Sequence, residues 1–254
     1  MGITTACTIM PHIPTVKHRE GFTLIELMVA IAVFGVISTA IYATYHNQQR
    51  IYLAQEKVVE MQQNLRAAMF FIERDLRMIG YDPTERSGAV SAPGMIANIA
   101  ELRFAYDENG DGLIQNNEYV RYALKRMTGS GIEEDGIAGT TRCCLARETG
   151  MGSQASGLQP VAENIDALEF VYHFADGSTA TQCATISDFE NVRSIDVSIL
   201  ARTGSFISGY RDAKKYYPAS NPEKSETGTV WGPFNDGYQR RLLIANIKCR
   251  NMGL

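Results

Sequence analysis

Histidine and clustered basic side chains are scarce in this sequence. Only 4 histidines occur among 254 residues, and the formal net charge is -4. No group of Lys or Arg gathers after the first twenty residues, so most of the surface offers a polyanion no long-range attraction. We therefore expect no nucleic-acid binding.

Recognisable catalytic signatures are also missing. The sequence contains no G-x-S-x-G, no H-E-x-x-H and no phosphate-binding loop, which are the patterns of common hydrolase, zinc-protease and nucleotide sites. The composition, 45% hydrophobic and 20% charged, still suits a chain with one or two packed cores. The sequence therefore predicts a folded protein that is not an enzyme.

A long apolar run stands near the N-terminus, from Phe22 to Tyr45. At 1.5 Å rise per residue, a helix of about 24 residues crosses the roughly 30 Å hydrocarbon core of a bilayer. Lys17 and Arg19 precede the run, and the next basic residue is Arg50, so the positive-inside rule places the N-terminus in the cytoplasm. No small-residue cleavage site follows the run, so we expect a retained single span with the bulk of the chain outside.

One carboxylate, that of Glu26, lies inside this apolar run. A charge costs about 2.5 to 3.5 kcal/mol near the centre of a membrane helix and less near its end. If the run served only as a signal anchor, nothing in the sequence would offset the free-energy cost of Glu26.

The stretch GFTLIELMVAIAVFGVIS resembles the class III prepilin signal of type IV pilins and type II secretion pseudopilins. The resemblance implies that a prepilin peptidase cuts after Gly21, that residues 1–21 are a leader, and that Phe22 becomes the N-methylated first residue. It also implies that Glu26 of one subunit pairs with the Phe22 amine of a neighbour. Electrostatics makes this reasonable, because each charge neutralises the other in lipid or in a dry filament core.

Apolar residues continue at helical spacing beyond the membrane segment, and they recur every seven residues at Ile51, Val58, Leu65, Ile72 and Ile79. Gly80 and Pro83 then end the pattern. We expect residues 22–45 to be the membrane or filament-core half of one helix and residues 46–80 its amphipathic half, packed on the protein's own sheet. A coiled coil with a separate partner is the alternative.

Beyond Pro83 the periodicity changes from 3.6 to 2. Alternation occurs in AELRFAYD, YVRYALKR, IDALEFVYHF, VRSIDVSILAR and RRLLIANIKC. These stretches predict at least five antiparallel strands, in one sheet or two, within a β-rich domain over residues 81–254. Gly-rich and Ser-rich stretches at 128–158 and 203–237 are predicted surface loops. The expected fold class is α+β, with a pilin-like N-terminal helix packed on an antiparallel sheet domain.

The last three strand patterns are similar to those of the minor pilins called PilW and of the type II secretion pseudopilin GspJ. This resemblance implies a minor pilin that joins other minor pilins, together with the major pilin, in a priming or tip complex. It would be made in the bacterial inner membrane with its bulk in the periplasm, and would later reach the pilus tip. Two alternatives stay open: a GspJ-like pseudopilin, and a calcium-stabilised adhesin at the pilus tip.

The sharpest chemical motif is DENGDGLIQNNE, residues 107–118. It fits the calcium-loop pattern D-x-[DN]-x-[DN]-G-x5-E at every defined position. The predicted ligands are oxygen atoms of Asp107, Asn109, Asp111, Leu113 through its carbonyl, Gln115 and Glu118. Because strand patterns flank the motif, we expect a structural Ca²⁺ on a β-hairpin rather than a sensor built on a helix pair; a solvated acidic turn is the alternative.

Cysteine usage suits an oxidising compartment. Cys7 would leave with the leader, so an even number of cysteines remains, at Cys143, Cys144, Cys183 and Cys249. Adjacent cysteines rarely bridge each other, which leaves two connectivities: 143 with 183 and 144 with 249, or the swap. A four-thiolate metal site is the alternative, but the C-x2-C pairs of zinc sites are missing.

Overall fold

The structure is a computed structural model that describes residues 21–128, 131–133 and 143–252. The chain divides into two compact units, Met1–Ile51 and Tyr52–Leu254, which are treated separately below. The predicted leader up to residue 20, with Cys7, lies outside the described residues.

One helix, α1, runs from Leu24 to Leu76. It is long and apolar enough to cross a membrane, judged by length and composition, and none of its most apolar 18-residue window is buried. In the unit Met1–Ile51 its side chains are almost all exposed. Apolar side chains point in every direction there, which is the pattern of a helix that spans a membrane.

The second part of α1, in the unit Tyr52–Leu254, is amphipathic. Its buried apolar side chains recur at helical spacing, at Met61, Leu65, Ala68, Met69, Ile72 and Leu76. They join a core cluster with side chains of both sheets, as predicted for a helix packed on its own domain. Each such side chain contributes about 1.5 to 3 kcal/mol on burial.

The helix ends four residues earlier than the sequence predicts. After Leu76 the backbone tightens, because Met78 and Ile79 donate to carbonyls three residues back, at 3.0 and 3.3 Å. Gly80 then takes a left-handed φ of 70°. A Cβ there would lie 2.9 Å from the Val90 side chain, so glycine suits the position by both backbone freedom and space.

The unit Tyr52–Leu254 contains two antiparallel sheets. The first has the order β1-β2-β3-β5-β6, with β4 also on β3; its strands are β1 (Ile96–Ala97), β2 (Glu101–Ala105), β3 (Tyr119–Thr128), β4 (Gly131–Glu133), β5 (Cys143–Thr149) and β6 (Gln159–Glu163). The second has the order β10-β9-β7-β8, with β7 (Ile165–Phe174), β8 (Thr179–Ala180), β9 (Val192–Arg202) and β10 (Arg240–Lys248). A short helix α2, Ile186–Glu190, precedes β9.

All five predicted strands are present, as β2, β3, β7, β9 and β10, and the α+β fold class is confirmed. The prediction of a loop over 128–158 is wrong for Gly131–Glu133, which form β4, and for Cys143–Thr149, which form β5. Four consecutive residues of β5, from Cys143 to Ala146, are buried, because Ala123 and Leu158 cover the outer face of the sheet there. A strand buried on both faces shows no alternation for sequence analysis to detect.

Candidate functional site

The first candidate site is the start of α1, where Phe22 is 92% exposed. Glu26 and Thr23 form a reciprocal capping arrangement. The Thr23 backbone N–H and hydroxyl both donate to Glu26 Oε2 at 2.9 Å, and the Glu26 N–H donates to the Thr23 hydroxyl at 3.3 Å. This is a capping box, which satisfies two donors that a helix N-terminus would otherwise leave unpaired.

The capping box gives Glu26 a role within its own chain that the sequence analysis did not assign. Its signal is the T-x-x-E spacing of Thr23 and Glu26. Glu26 Oε1 makes no hydrogen bond to any described residue, so one carboxylate oxygen stays available to a partner. No described atom lies within 4 Å of where a Cβ would stand at Gly21, and the cleavage and methylation at Gly21 and Phe22 stay predictions.

The second candidate site is the connection between β2 and β3, which holds the calcium motif on a β-hairpin. Asp107 and Glu118, at the two ends of the loop, are buried. Asp107 accepts from the N–H groups of Gly110 and Gly112 at 2.7 and 3.0 Å. Glu118 accepts from the N–H groups of Glu108 and Gln115 at 3.1 and 2.8 Å. The two buried carboxylates thus organise the loop backbone between them.

The other predicted ligands lie at the exposed tip of the same loop. Asp111 accepts from the Leu113 N–H at 2.9 Å and from the side-chain amides of Gln115 and Asn109 at 2.5 and 3.1 Å. Gly112, at the position that the pattern reserves for glycine, has a φ of 81°. The loop therefore brings the predicted donors into one short segment with the tight turn that the motif requires.

The electrostatics of the loop decide how well it fits a cation. Among the residues that the structure describes, no group of three or more His, Cys, Asp or Glu side chains is arranged to hold a metal ion, because the carboxylates turn to backbone N–H groups. Neither Asp107 nor Glu118 forms an ion pair with a described side chain, although both are almost fully buried. The oxygen donors are of the type that Ca²⁺ takes, and backbone N–H groups hold the two buried carboxylates in this structure.

The loop is joined to the segment that follows α1. The Asp107 N–H donates to the Tyr81 carbonyl at 2.8 Å, and the Thr84 hydroxyl lies 3.0 Å from where a Cβ would stand at Gly112. Asp82 shapes this segment: burial tends to raise its pKa, but hydrogen bonds from Ser87 and Thr84 outweigh that effect and lower the pKa to about 2. The hairpin loop and the helix exit therefore form one hydrogen-bonded unit.

Cys144, Cys183 and Cys249 form no disulfide with one another, and the two predicted connectivities stay predictions. Cys143 and Cys144 lie on β5 inside the first sheet. The Cys183 N–H donates to Ala97, at 2.9 Å, and the Cys249 N–H to Arg193, at 3.0 Å. The sequence analysis could exclude only the adjacent pair, because the distances between the other cysteines depend on how the two sheets pack.

A buried ionic network, which sequence analysis missed, holds the segment 203–239 on the second sheet. The fully buried Arg240 guanidinium binds Asp166 at 2.6 Å, Asp212 at 3.1 Å and Asp236 at 2.6 and 2.7 Å. It also lies 3.8 Å from the centroid of the Phe234 ring. No local sequence pattern predicts these contacts, because they join residues up to 74 positions apart.

The helix start and the fold define a class of protein: residues 16–42 match the prokaryotic N-terminal methylation motif, so this is a prepilin-type chain. Residues 54–211 match the family described as prepilin peptidase-dependent protein B, and the chain belongs to that family. A comparison with curated proteins finds no match. The solved structure of the type IV-like pilin TTHA1219 from Thermus thermophilus is similar at 14% identity and a TM-score of 0.45, over 76% of this chain and 98% of that chain.

The two family matches establish a prepilin-type protein that depends on prepilin peptidase. The prediction that the chain is not an enzyme is confirmed by membership of a family of structural proteins. The matched families do not show the predicted resemblance to PilW or GspJ.

Proposed function

We propose that this protein is a minor pilin that joins other minor pilins and the major pilin in the priming complex that begins pilus assembly. The observation that carries the proposal is the exposed Glu26 carboxylate, with one oxygen unused, at the head of an otherwise apolar helix. The basic residues before the apolar run support a cytoplasmic N-terminus with the bulk of the chain in the periplasm, and the later position at the pilus tip is part of the proposal.

In the proposed assembly the two oxygens of the Glu26 carboxylate bind different partners. Oε2 binds Thr23 of its own chain at 2.9 Å, and Oε1 is left to accept the Phe22 amine of a neighbour after cleavage. A charge pair inside lipid or a packed filament is favourable only when its geometry is good, so the pair selects one axial offset between neighbours. Glu26 therefore sets the register of assembly.

The test replaces Glu26 by Gln and measures recovery with co-expressed minor pilins. Glu26→Gln keeps an oxygen that can accept from Thr23 but removes the charge, so we expect normal insertion and cleavage with poor co-purification. Thr23→Ala, the matched control, weakens the cap and keeps the carboxylate, so recovery should stay close to that of the wild type. Wild-type recovery of Glu26→Gln would contradict a charge-based register.

We also propose that the loop 107–118 binds one structural Ca²⁺. Support comes from its oxygen donors, from two buried carboxylates without an ion-pair partner and from the turn at Gly112. A bound Ca²⁺ would supply positive charge to the loop. Asp107 and Glu118 would hold it from the two ends of the hairpin loop, and the Asp107 bond to Tyr81 would carry the added rigidity to the helix exit. Extracellular modules of this kind bind calcium at about 0.1 to 1 mM.

A further inference from the structure

The strand β10, Arg240–Lys248, lies at one edge of the second sheet and pairs only with β9 among the described strands. The Thr203 N–H donates to the Gln239 carbonyl, and the Cys249 N–H donates to the Arg193 carbonyl. Both pairs belong to the register of β10 on β9, so odd-numbered residues of β10 exchange hydrogen bonds with β9. The backbone N–H and C=O groups of even-numbered residues therefore point away from β9.

Four consecutive even-numbered positions have outward backbone groups without a partner in the part of the chain that the structure describes: Leu242, Ile244, Asn246 and Lys248. The Arg240 carbonyl differs, because it accepts from the Tyr216 hydroxyl at 3.4 Å. A row of unpaired donors and acceptors along one strand is a template for a further strand.

The other sheet edges in the described residues are protected. The edge strands β1 and β8 have 2 residues each. The edge strand β6 contains Pro160, and its pairing with β5 is interrupted by a register shift. By contrast, β10 has 9 residues and pairs with β9 without any register shift. Proteins usually blunt long edges by shortening, bulges, proline or charged side chains, and of these β10 has only the charged side chains of Arg241 and Lys248 near its ends.

The side chains of β10 specify what could pair with it. Its middle is apolar, with Ile244 44% exposed and with Leu243 and Ala245 only partly buried beside the main core. Its ends carry exposed cations, Arg241 and Lys248, and the strand contains no Asp or Glu. A complementary strand would be apolar in its middle and acidic at both ends.

We propose that β10 accepts an extended segment of a different protein as an added strand, and that this segment is apolar in its middle with carboxylates at both ends. Backbone hydrogen bonds supply the affinity, and the flanking charges select the sequence. A second copy of this chain is a poorer match, because β10 contains no Asp or Glu that could pair with the exposed Arg241 and Lys248 of the other copy. The proposal is independent of the priming role and of calcium binding.

The test uses the full chain in detergent micelles and a fluorescent synthetic peptide, Glu-Thr-Val-Thr-Val-Thr-Val-Glu, with blocked termini. A peptide with Lys at both ends is its matched control. We expect the acidic peptide to bind and to slow hydrogen exchange at the amides of Leu242, Ile244 and Asn246, and the basic peptide to bind at least tenfold more weakly. A wild-type chain that binds neither peptide, or both equally, overturns the proposal.

Two variants distinguish backbone pairing of the peptide with β10 from non-specific binding. Ile244→Pro removes an outward N–H without removing a bond to β9, so peptide binding should weaken by about tenfold while the melting temperature stays near that of Ile244→Thr. The double reversal Arg241→Glu with Lys248→Glu leaves the backbone intact and should transfer the preference to the basic peptide. Unchanged binding by both variants, or self-association of the wild type that Ile244→Pro abolishes, would contradict a separate acidic partner.

Discussion

The two units of this protein place carboxylates in different settings. In the unit Met1–Ile51 the Glu26 carboxylate has one partner, Thr23, only three residues away, and it remains exposed. In the unit Tyr52–Leu254 the buried Asp75 carboxylate accepts from Tyr122 at 2.7 Å and from Arg147 at 2.5 Å, across 47 and 72 residues. The second unit neutralises its own charges, whereas the first presents a charge that another chain can neutralise.

Among the changes considered, removal of the Arg240 side chain should have the largest effect on the free energy of unfolding. Arg240→Ala would leave Asp166 and Asp212 buried without their main cation, and breaking a buried ion pair in this way costs about 3 to 5 kcal/mol. Arg241→Ala, the neighbouring exposed position, is the matched control and should change stability by less than about 0.5 kcal/mol. Chemical denaturation of the full chain in detergent measures both variants. Similar losses for the two would mean that the network is not a main source of stability.

The calcium loop is an exception within the second unit, because Asp107 and Glu118 are buried without an ion-pair partner, as is Glu169, which Ser220 alone satisfies. If Ca²⁺ fills that role, calcium at about 100 times its Kd should stabilise the fold by about 2.7 kcal/mol. Chelator should remove that stabilisation, and thermal unfolding with calcium or with chelator measures it.

A pair of variants within the loop sharpens the calcium test. Glu118→Ala removes the predicted bidentate ligand and should abolish the dependence on calcium. Glu108→Ala removes an exposed acid that is not a predicted ligand and should keep that dependence. Identical melting of the wild type in calcium and in chelator would identify the loop as an acidic turn only.

The smallest expected effect concerns the chemical reactivity of the cysteine thiols. Burial raises the pKa of Cys144 to about 11 and the pKa of Cys183 and Cys249 to about 12, against about 8.5 for a free cysteine. The reactive thiolate is therefore rare at neutral pH, and maleimide labelling of the folded protein at pH 7 should be much slower than labelling of the denatured protein. Labelling after denaturation, with and without reductant, counts thiols against disulfides; reductant-dependent labelling would support the predicted disulfides.

Sequence analysis succeeded for the long elements. The strands β7 and β9 were predicted with the bounds that the structure has, although the first eight residues of β7 are buried, because both are long runs rich in β-branched and aromatic side chains. The buried face of α1 follows its repeat of seven residues. The prediction failed at β5, a short strand inside a Gly-rich and Ser-rich stretch, and at the end of α1, where a tight turn replaces the last predicted residues. The T-x-x-E spacing of Thr23 and Glu26 could have predicted the capping box. The sequence analysis interpreted the same segment only as the start of a membrane helix.

The sequence by itself determined the apolar helix, the position of Glu26 in it, the calcium-loop pattern and the long strands. These depend on neighbours within a few turns of helix or along one strand. Only the tertiary structure decided that Arg240 meets Asp166, that Cys183 and Cys249 lie outside the strand that holds Cys143 and Cys144, and that β10 is a long edge strand. The reason is that each of these depends on sheet order and register, which bring together residues far apart in the chain.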